Sequence, residues 1–438
     1  MIRRIAAAAV ALAAPFAPGQ TPPKVVSLDP PHLAANVEPH GTTRFTVVFD
    51  RDMDTTAHSV CGGGPTFPKI VRTDWEDART FVFEALLGED RIYSVDLSCA
   101  SSNGFRSKQG DRLPLVPWRI ATTGPALESG VAAKAVATLF AAIGDRYSYR
   151  DRLGIDWGDI QRAHQDELLA SKHGAGLALA VAHLMQSAQD PHVTVAWRES
   201  MLATCQRDVV PNFDVRGLQK ALPGLRRIGR IGMQARTDDG IGYLFVGSFS
   251  RDQREDFDAT LDALRGMLDC KALVIDVRTN TGGDELIARR LAAWFVPGEK
   301  IYAAHRIRDP KAEGGFQPRQ DRRLRGNEPP ELFEKPVAVL MGQANMSSCE
   351  AFLLMMKQAP NAVLVGDTSY GSSGNPQPCT LAPGLTVMLP SWQALRADGT
   401  PLEGEGITPH IHVASTPAKL ADEDTVLAEA LLRLRGIR

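Results

Sequence analysis

The sequence predicts a multidomain protein in which an all-β domain and a helical subdomain precede an α/β domain. The chain has 438 residues, which is more than an ordinary single domain contains. Short β-branched and aromatic runs occupy residues 24–123, and apolar residues at helical spacing occupy residues 125–192. Within residues 193–438, buried strands alternate with helices from about residue 240, as in a largely parallel sheet.

Residues 1–20 are typical of an export signal peptide. Arg3 and Arg4 precede an uninterrupted run of small or apolar residues that ends at Ala17. This run is shorter than the roughly 20 residues that a transmembrane helix needs, and no later apolar stretch is long enough. A buried N-terminal helix, the alternative, does not explain why the charges come first. We therefore expect an exported protein without a membrane span, in the periplasm of a Gram-negative bacterium or secreted.

The first domain is predicted to contain short strands separated by Pro, Gly, Asn and Asp clusters, at residues 43–49, 80–86, 91–98 and 117–123. This spacing favours a β-sandwich. The stretches VVSLDPPHLAANV, FTVVFDRDMDTT and WRIATTG resemble the bacterial Ig-like domain found at the front of many exported proteins. Among six cysteines, Cys61 with Cys99 is the favoured disulfide pair, and Cys349 with Cys379 is a weaker candidate.

The helical subdomain is predicted to contain three helices, at residues 128–147, 157–172 and 174–188. Asp156 is placed to cap the second of them. We assign His164, His173 and His183 to helix surfaces or to the core, because no two of them have the sequence spacing of metal ligands.

The α/β domain is predicted to contain strands at residues 241–249, 271–277, 336–342, 362–366 and 385–389. Its helices are predicted at residues 252–269, 284–295 and 347–358. Residues 303–334 are polar and rich in Arg and Pro, and we interpret them as a surface excursion or a lid. In such sheets, functional residues collect where strands end and helices begin.

The first junction of this kind, residues 276–283, ends in Gly282 and Gly283. Two glycines after a buried strand let the backbone approach a ligand closely and leave amide groups free before the next helix. Such amides can form an oxyanion hole, although a tight turn would also explain the glycines. The junction contains neither GxGxxG nor a GxxxxGK motif, so nucleotide binding is not supported.

The second junction places Ser347 between a strand and a helix. A hydroxyl group there points outward, and the helix N-terminus favours developing negative charge, as a nucleophile requires. The alternative is that Ser347 is only an N-cap, with Glu350 completing a capping box. Cys349 lies further into the helix and is a weaker candidate nucleophile.

Several stretches then carry a resemblance to a known family, in the order IGYLFVGSF, ALVIDVRTNTGG, VAVLMGQANMSSCEAF, AVLVGDTSYGSSG and ADGTPLEGEGITPHIHV. They resemble the catalytic core of the serine peptidase family that includes C-terminal-processing peptidases, the tricorn core and the interphotoreceptor retinoid-binding protein. DRYSYRDRLGIDWGDI and AHLMQSAQDPH extend the resemblance, which covers roughly residues 128–432. It implies a ClpP/crotonase-like fold for the α/β domain.

The resemblance also implies the residues of an active site. They are Ser347 as the nucleophile, His192 as its base, Glu403 as the acid that orients the base, and the backbone N–H groups of Gly283 (or Gly282) and Ser348 as oxyanion donors. This set agrees with general chemistry, because a serine hydroxyl needs a base and a neutral histidine needs an orienting carboxylate.

The sequence departs from the family in three places. Ser372 stands where the processing branch has its lysine base, so a Ser–Lys dyad is excluded. Residues 193–240 are too few for the PDZ domain of that branch. Both departures favour the tricorn-like branch, but Pro191 replaces the helper serine beside its histidine, so a tetrad would reduce to a triad.

The sequence therefore predicts an exported serine peptidase of the tricorn-like type, without a PDZ domain, that acts on a peptide or protein substrate. No metal or organic cofactor is implied, and the oligomeric state is not indicated. The net charge is −2, with 49 Lys and Arg against 51 Asp and Glu, which gives no support to nucleic-acid binding. Two alternatives stay open: a weak or inactive site that binds hydrophobic ligands or peptides, and an envelope adhesin in which residues 24–123 are the functional part.

Overall fold

A computed structural model describes residues 21–98, 104–205, 209, 211–415 and 417–436. The predicted signal peptide, residues 1–20, lies outside the described residues. No helix in the described ranges combines the length and the apolar character that a membrane crossing requires.

The N-terminal region folds into two antiparallel sheets that share one apolar core. Its described strands are β1 (Val25–Asp29), β2 (Thr42–Phe49), β3 (Val60–Cys61), β4 (Lys69–Asp77), β5 (Thr80–Leu86), β6 (Ile92–Leu97) and β7 (Val116–Ala121). The sheet orders are β1-β2-β5-β4 and β3-β6-β7. Phe45 and Phe83 stack with ring centroids 4.5 Å apart, and Trp118 meets Phe45 edge-on at 5.0 Å. Alternating aromatic residues therefore fill the space between the two sheets.

Three helices follow: α1 (Val131–Asp145), α2 (Trp157–Leu169) and α3 (Gly174–Met185). The Asp156 side chain accepts hydrogen bonds from the N–H groups of Gly158 and Asp159, so the predicted N-cap of α2 is present. Helix α3 is buried along almost its whole length. The chain leaves α3 through a short 3₁₀ turn and then reaches Asp190 and His192.

The rest of the chain alternates between strands and helices. Its elements are β8 (Thr194–Trp197), β9 (Ser200–Ala203), α4 (Val215–Ala221), β10 (Arg226–Ile228), β11 (Gly232–Arg236), β12 (Ile241–Val246), α5 (Arg254–Arg265), β13 (Ala272–Asp276), α6 (Glu285–Ala292), β14 (Glu299–Ile307), β15 (Gln320–Arg325), β16 (Val337–Met341), α7 (Ser348–Met356), β17 (Ala362–Gly366), β18 (Pro376–Ala382), β19 (Leu385–Pro390), β20 (Trp392–Arg396), β21 (Ile411–His412), α8 (Pro417–Asp422) and α9 (Thr425–Gly436).

The central sheet has the order β10-β11-β12-β13-β16-β17-β21 and is parallel from β12 to β21. Helices α5, α6 and α7 cover one face, and α4, α8 and α9 cover the other. Strands β12, β13 and β16 are buried along their whole length, which explains their continuous apolar sequences. Because β13 and β16 are parallel neighbours, the loops that follow them meet at the same edge of the sheet.

Strand β19 lies outside this sheet, although its sequence follows the alternation of the α/β region. It belongs to the four-stranded antiparallel sheet β18-β19-β8-β9. Its apolar residues pack with those of α1 and α3 in one core cluster. The helices therefore form a common core with residues 376–390 of the later chain.

The polar segment 303–334, which the sequence analysis interpreted as a surface excursion or a lid, contains most of a hairpin that begins at Glu299. Strands β14 and β15 pair with each other, and β14 also pairs with β20, in a three-stranded antiparallel sheet. Arg322 on β15 and Trp392 on β20 both line the main cleft of the molecule. The hairpin therefore forms one wall of that cleft.

A buried ionic cluster fastens α9 to the central sheet. Arg278, which follows β13, pairs with Asp276 and Asp424, and all three side chains are completely buried. Each pair has an N–O distance of 2.7 Å. Asp424 also accepts the N–H of Leu427, so it caps the first turn of α9.

The cysteines give a mixed result. Cys61 is disulfide-bonded, but its predicted partner Cys99 lies outside the described residues. The predicted pair Cys349–Cys379 is wrong, because both residues are free thiols. The two residues are buried in separate cores: Cys349 packs beside the central sheet, and Cys379 packs against the helical region.

Candidate active site

Ser347 lies between β16 and α7 in a backbone conformation that few non-glycine residues adopt, with φ 55° and ψ −125°. Its N–H donates to the Ser372 carbonyl oxygen at 2.8 Å. Its side chain caps no N–H of α7, so the hydroxyl is not used as an N-cap. Ser347 also lines the main cleft. A strained backbone, a place in the wall of a cleft and a hydroxyl that caps no helix are together typical of a nucleophile.

Glu350 organises the loop that faces Ser347. Its buried carboxylate accepts the N–H groups of Gly371 and Ser372 at 2.8 and 2.9 Å, and the Ser369 hydroxyl also donates to it. Burial raises the pKa of Glu350 to about 7, against the opposing effect of these hydrogen bonds. Glu350 therefore fixes the loop that carries Ser372, which differs from the capping-box role considered as the alternative in the sequence analysis.

His192 is a buried residue at the end of the segment that follows α3. Its backbone N–H donates to Asp190 Oδ1 at 2.9 Å, and Asp190 in turn accepts the Tyr147 hydroxyl at 3.0 Å. Its Nδ1 lies 2.8 Å from Ser372 Oγ. Burial lowers the pKa of His192, although the Asp190 charge opposes this shift. His192 is therefore neutral near pH 7, as a general base must be.

Glu403 reaches His192 through an intermediate hydroxyl. Its Oε1 accepts the Ser372 hydroxyl at 3.1 Å, and its Oε2 accepts the Ser373 N–H at 2.9 Å. Burial raises the pKa of Glu403 to about 8, and the Asp190 charge adds to this effect. Ser372 therefore stands between the histidine and the carboxylate that the sequence analysis expected to meet directly.

Ser372 fixes which nitrogen of His192 carries the proton. A hydroxyl has one proton, so when Ser372 donates to Glu403 it must accept from Nδ1–H of His192. Nε2 then carries the free lone pair of the ring, and this atom is buried without a hydrogen-bond partner. This is the tautomer that a general base needs.

Ser347 and His192 both form a hydrogen bond with Ser372: Ser347 with its carbonyl oxygen and His192 with its hydroxyl. The hydrogen bonds of the described residues include no direct one between Ser347 Oγ and His192 Nε2. Catalytic hydrogen bonds often shorten only when substrate is bound, so the geometry leaves a Ser347–His192 pair available.

The two glycines of the first junction have different roles. The Gly282 N–H donates to Asn280 Oδ1 at 2.8 Å, so this group is already committed. Gly283 has φ 134°, and a Cβ there would lie 2.3 Å from the Phe249 backbone. The Ser348 hydroxyl donates to the Gly283 carbonyl at 2.7 Å and joins the two junctions. The backbone N–H groups of Gly283 and Ser348 are therefore the candidate oxyanion donors.

The cleft beside Ser347 has a volume of about 780 Å³. Seven of its seventeen lining residues are charged. Three of its four arginines are paired: Arg251 with Asp284, Arg322 with Glu285, and Arg323 with Glu299 and Asp321. Leu286 is exposed at its mouth. The cleft is large enough for several residues of an extended peptide.

The sequence predicted Ser347, His192, Glu403, Gly283 and Ser348 as site residues, but it gave no role to Ser372, whose hydroxyl lies between His192 and Glu403. The available signal is the Gly371-Ser372-Ser373-Gly374 motif, in which Ser372 stands at the position of the family's lysine. The contact between Ser372 and His192 spans 180 residues of sequence, and no spacing rule foresees it.

Comparison with known proteins supports the same region. The sequence profile of the family described as "Peptidase family S41" matches residues 240–413, which include Ser347, Ser372 and Glu403 but not His192. The chain is 26% identical over 173 residues to the carboxy-terminal processing protease CtpB of Bacillus subtilis (strain 168). The matched part is 40% of this chain and 34% of that protein, so the chain spans about a third of the curated relatives it matches.

Solved structures show a similar fold over a longer stretch. A candidate peptidase from Parabacteroides merdae ATCC 43184 superposes with a TM-score of 0.59 at 22% identity, covering 69% of this chain and 96% of that one. Mature CPAF superposes with a TM-score of 0.52 at 12% identity, covering 70% of this chain and 97% of its own. At these identities the likeness concerns the fold alone.

Proposed function

We propose that the protein is a serine peptidase of family S41, whose sequence profile matches residues 240–413, with Ser347 as its nucleophile. The observation that carries the proposal is the hydrogen-bonded series His192–Ser372–Glu403, in which His192 Nε2 is buried without a hydrogen-bond partner. A histidine whose Nδ1 is held by a hydrogen bond and whose Nε2 has no partner can accept the proton of a serine hydroxyl.

The proposed reaction begins when Ser347 Oγ attacks the scissile carbonyl carbon and His192 Nε2 takes its proton. The tetrahedral oxyanion accepts hydrogen bonds from the backbone N–H groups of Gly283 and Ser348. When the peptide C–N bond breaks, the proton passes from Nε2 to the leaving amine. Water then attacks the acyl-enzyme, with His192 acting again as base, and releases the acid product.

Glu403 controls this cycle through its own protonation. When Glu403 is ionised, Ser372 donates to it and accepts from Nδ1–H, which leaves Nε2 free. When Glu403 is protonated, it can donate to Ser372, which then donates to Nδ1 and moves the imidazole proton to Nε2. The ionised carboxylate thus selects the active tautomer and stabilises the imidazolium that forms during attack.

The proposal includes the remaining sequence expectations. The protein is exported, residues 24–123 form an Ig-like domain, residues 125–192 form a helical subdomain, and residues 193–438 form the catalytic core with no PDZ domain. The two-sheet N-terminal region and the few elements between β8 and β12 support this division. The substrate is a peptide or protein, for which the open cleft gives room.

One observation favours a second candidate function. The missing hydrogen bond between Ser347 Oγ and His192 Nε2 is what a weak or inactive site would show. The cleft would then serve to bind peptides or hydrophobic ligands without cleaving them.

A fluorophosphonate probe separates the two functions, because it labels only an activated serine. We expect labelling of the wild-type protein and its loss in Ser347→Ala and His192→Ala. The matched controls are Ser27→Ala on the exposed strand β1 and His412→Ala at the exposed edge strand β21, which should label normally. A folded wild-type protein that takes no label would exclude the peptidase and favour the binding protein.

A further inference from the structure

A second group of chemically active side chains lies on helices α2 and α3, outside the cleft that holds Ser347. His164 and Glu167 are three residues apart on α2 and share one helix face, and His183 reaches the same point from α3. The sequence spacing of the histidines did not indicate this group, because its members come from two helices. We call it the His–Glu cluster.

The ligand atoms of the His–Glu cluster converge. Nδ1 of His164 lies 3.3 Å from Glu167 Oε2, and Nδ1 of His183 lies 2.9 Å from the same oxygen. One ligand atom from each residue lies within 4.8 Å of the other two. Ligands about 2.1 Å from a tetrahedral zinc ion lie roughly 3.4 Å apart, so small side-chain movements would suffice.

The orientation of the two rings also suits a shared ligand. Their planes are at 86° with centroids 4.8 Å apart, so the rings meet edge to face and do not stack. The side chains of His164, Glu167 and His183 are 17%, 39% and 35% exposed, which gives an ion access from solvent and leaves a position for water. Two imidazoles with one carboxylate is a donor set that late first-row divalent cations prefer to calcium or magnesium.

We propose that His164, Glu167 and His183 bind one divalent cation of the zinc class, with water completing the coordination. The ion would join α2 to α3. Because α3 leads directly to the segment that carries His192, the site would also hold that segment in place. The site is separate from the proposed peptidase chemistry and needs no step of that reaction.

The test is a calorimetric titration of Zn²⁺ into the full chain carrying His192→Ala, which keeps zinc from the buried histidine of the proposed active site. We expect one ion per chain. Glu167→Gln and His183→Ala should each lower the affinity by more than about 100-fold, beyond the 10–100-fold loss typical of outer-shell changes. Glu167→Gln keeps the shape of the side chain, so a folding defect is not expected, and far-UV circular dichroism checks this.

His412→Ala is the matched control, because His412 also lies beside a carboxylate, that of Asp367, on the exposed edge strand β21. It should bind Zn²⁺ as tightly as its parent. Zn²⁺ should raise the melting temperature of the parent and of His412→Ala, but not of His183→Ala.

Three outcomes would overturn the proposal. One is a parent protein that binds no Zn²⁺, which would leave the His–Glu cluster as two histidines hydrogen-bonded to one carboxylate. The second is Zn²⁺ binding that survives His183→Ala and Glu167→Gln. The third is binding of Ca²⁺ or Mg²⁺ as tight as that of Zn²⁺, which would contradict recognition by imidazole nitrogen.

Discussion

At the scale of single residues, Ser372 has the largest effect on how the proposed site works. It is completely buried, and its three polar groups each have a different partner. The carbonyl oxygen receives the Ser347 N–H, the N–H reaches Glu350, and the hydroxyl joins His192 to Glu403. In the proposed mechanism, this hydroxyl orients His192, which Pro191 has no group to do.

Ser372→Ala removes only the hydroxyl of this residue. We expect kcat to fall by about 100-fold or more, within the 10²–10⁴ range of general-base contributions. The reason is that the Ser372 hydroxyl both keeps the proton on Nδ1 of His192 and orients the imidazole ring. KM should change little. Steady-state peptidase assays check this, with Ser373→Ala as the control, since Ser373 contacts Glu403 through its backbone N–H. Wild-type activity in Ser372→Ala would contradict the relay.

The pH dependence of activity should follow Glu403. Its pKa of about 8 means that the carboxyl is mostly protonated at pH 7 and ionises above pH 8. We expect kcat/KM to rise with pH between about 7 and 9, since ionised Glu403 selects the active tautomer. His192 does not account for this rise, because burial places its pKa below the usual value of 6.5. Glu403→Gln should lose the rise, and an unchanged profile in that variant would exclude Glu403 as its source.

The same shift affects stability in a defined direction. The folded-state pKa of Glu403 is raised from 4.5 to about 8, so between these values the folded state binds more protons than the unfolded state. The free energy of unfolding therefore decreases as the pH rises through this window. Glu403→Gln should make the urea midpoint less dependent on pH there, and an equally steep dependence in the variant would show that other groups cause it.

At the scale of elements, the site depends on the loops that follow β13 and β16. The Ser348 hydroxyl bonded to the Gly283 carbonyl holds these loops together, and Asn345 donates to the carbonyl groups of Val277 and Asn280. Each candidate oxyanion donor is thus positioned by the opposite loop.

Gly283→Ala tests this arrangement. The new Cβ would meet the Phe249 carbonyl oxygen at 2.4 Å and the Ser250 nitrogen at 2.6 Å, so the loop must move and the Gly283 N–H with it. We expect kcat to fall by about 10²–10³-fold, the usual effect of losing one oxyanion donor. The control is Gly224→Ala, whose Cβ would meet nothing within 4 Å. Comparable loss in both variants would contradict a specific role for Gly283.

Periodicity and turn residues predicted most elements of the sheet, because strands buried on both faces have continuous apolar sequences. They could not assign β19 to its sheet, because a short apolar strand has the same sequence pattern in the central sheet and in the antiparallel sheet with β8. They also could not show that residues 303–334 contain a hairpin. Strands with one side facing solvent tolerate many arginines, so their sequence lacks the apolar pattern that predicts a strand. The Ser347 position was predictable from a local junction, whereas Ser372 depends on contacts across 180 residues.

At the scale of the whole molecule, the buried cluster of Arg278, Asp276 and Asp424 ties the C-terminal helix to the sheet. Asp424→Ala would leave Arg278 buried with half of its counter-charge. We expect a loss of about 3–5 kcal/mol in the free energy of unfolding, as for other broken buried pairs.

Urea denaturation measures this loss, and Asp422→Ala provides a matched control. Asp422 is 88% exposed and lies 3.4 Å from Lys220, so its removal should change stability by less than about 0.5 kcal/mol. Similar stability in the two variants would mean that the cluster does not hold α9.

The bond between the Ser347 N–H and the Ser372 carbonyl joins two segments that no local folding step can bring together. His192 and Glu403 arrive from still more distant parts of the chain. An incompletely folded copy therefore has the nucleophile but none of the apparatus that activates it. In the proposed mechanism, the activity per chain in a population therefore reports the fraction of molecules that have finished folding.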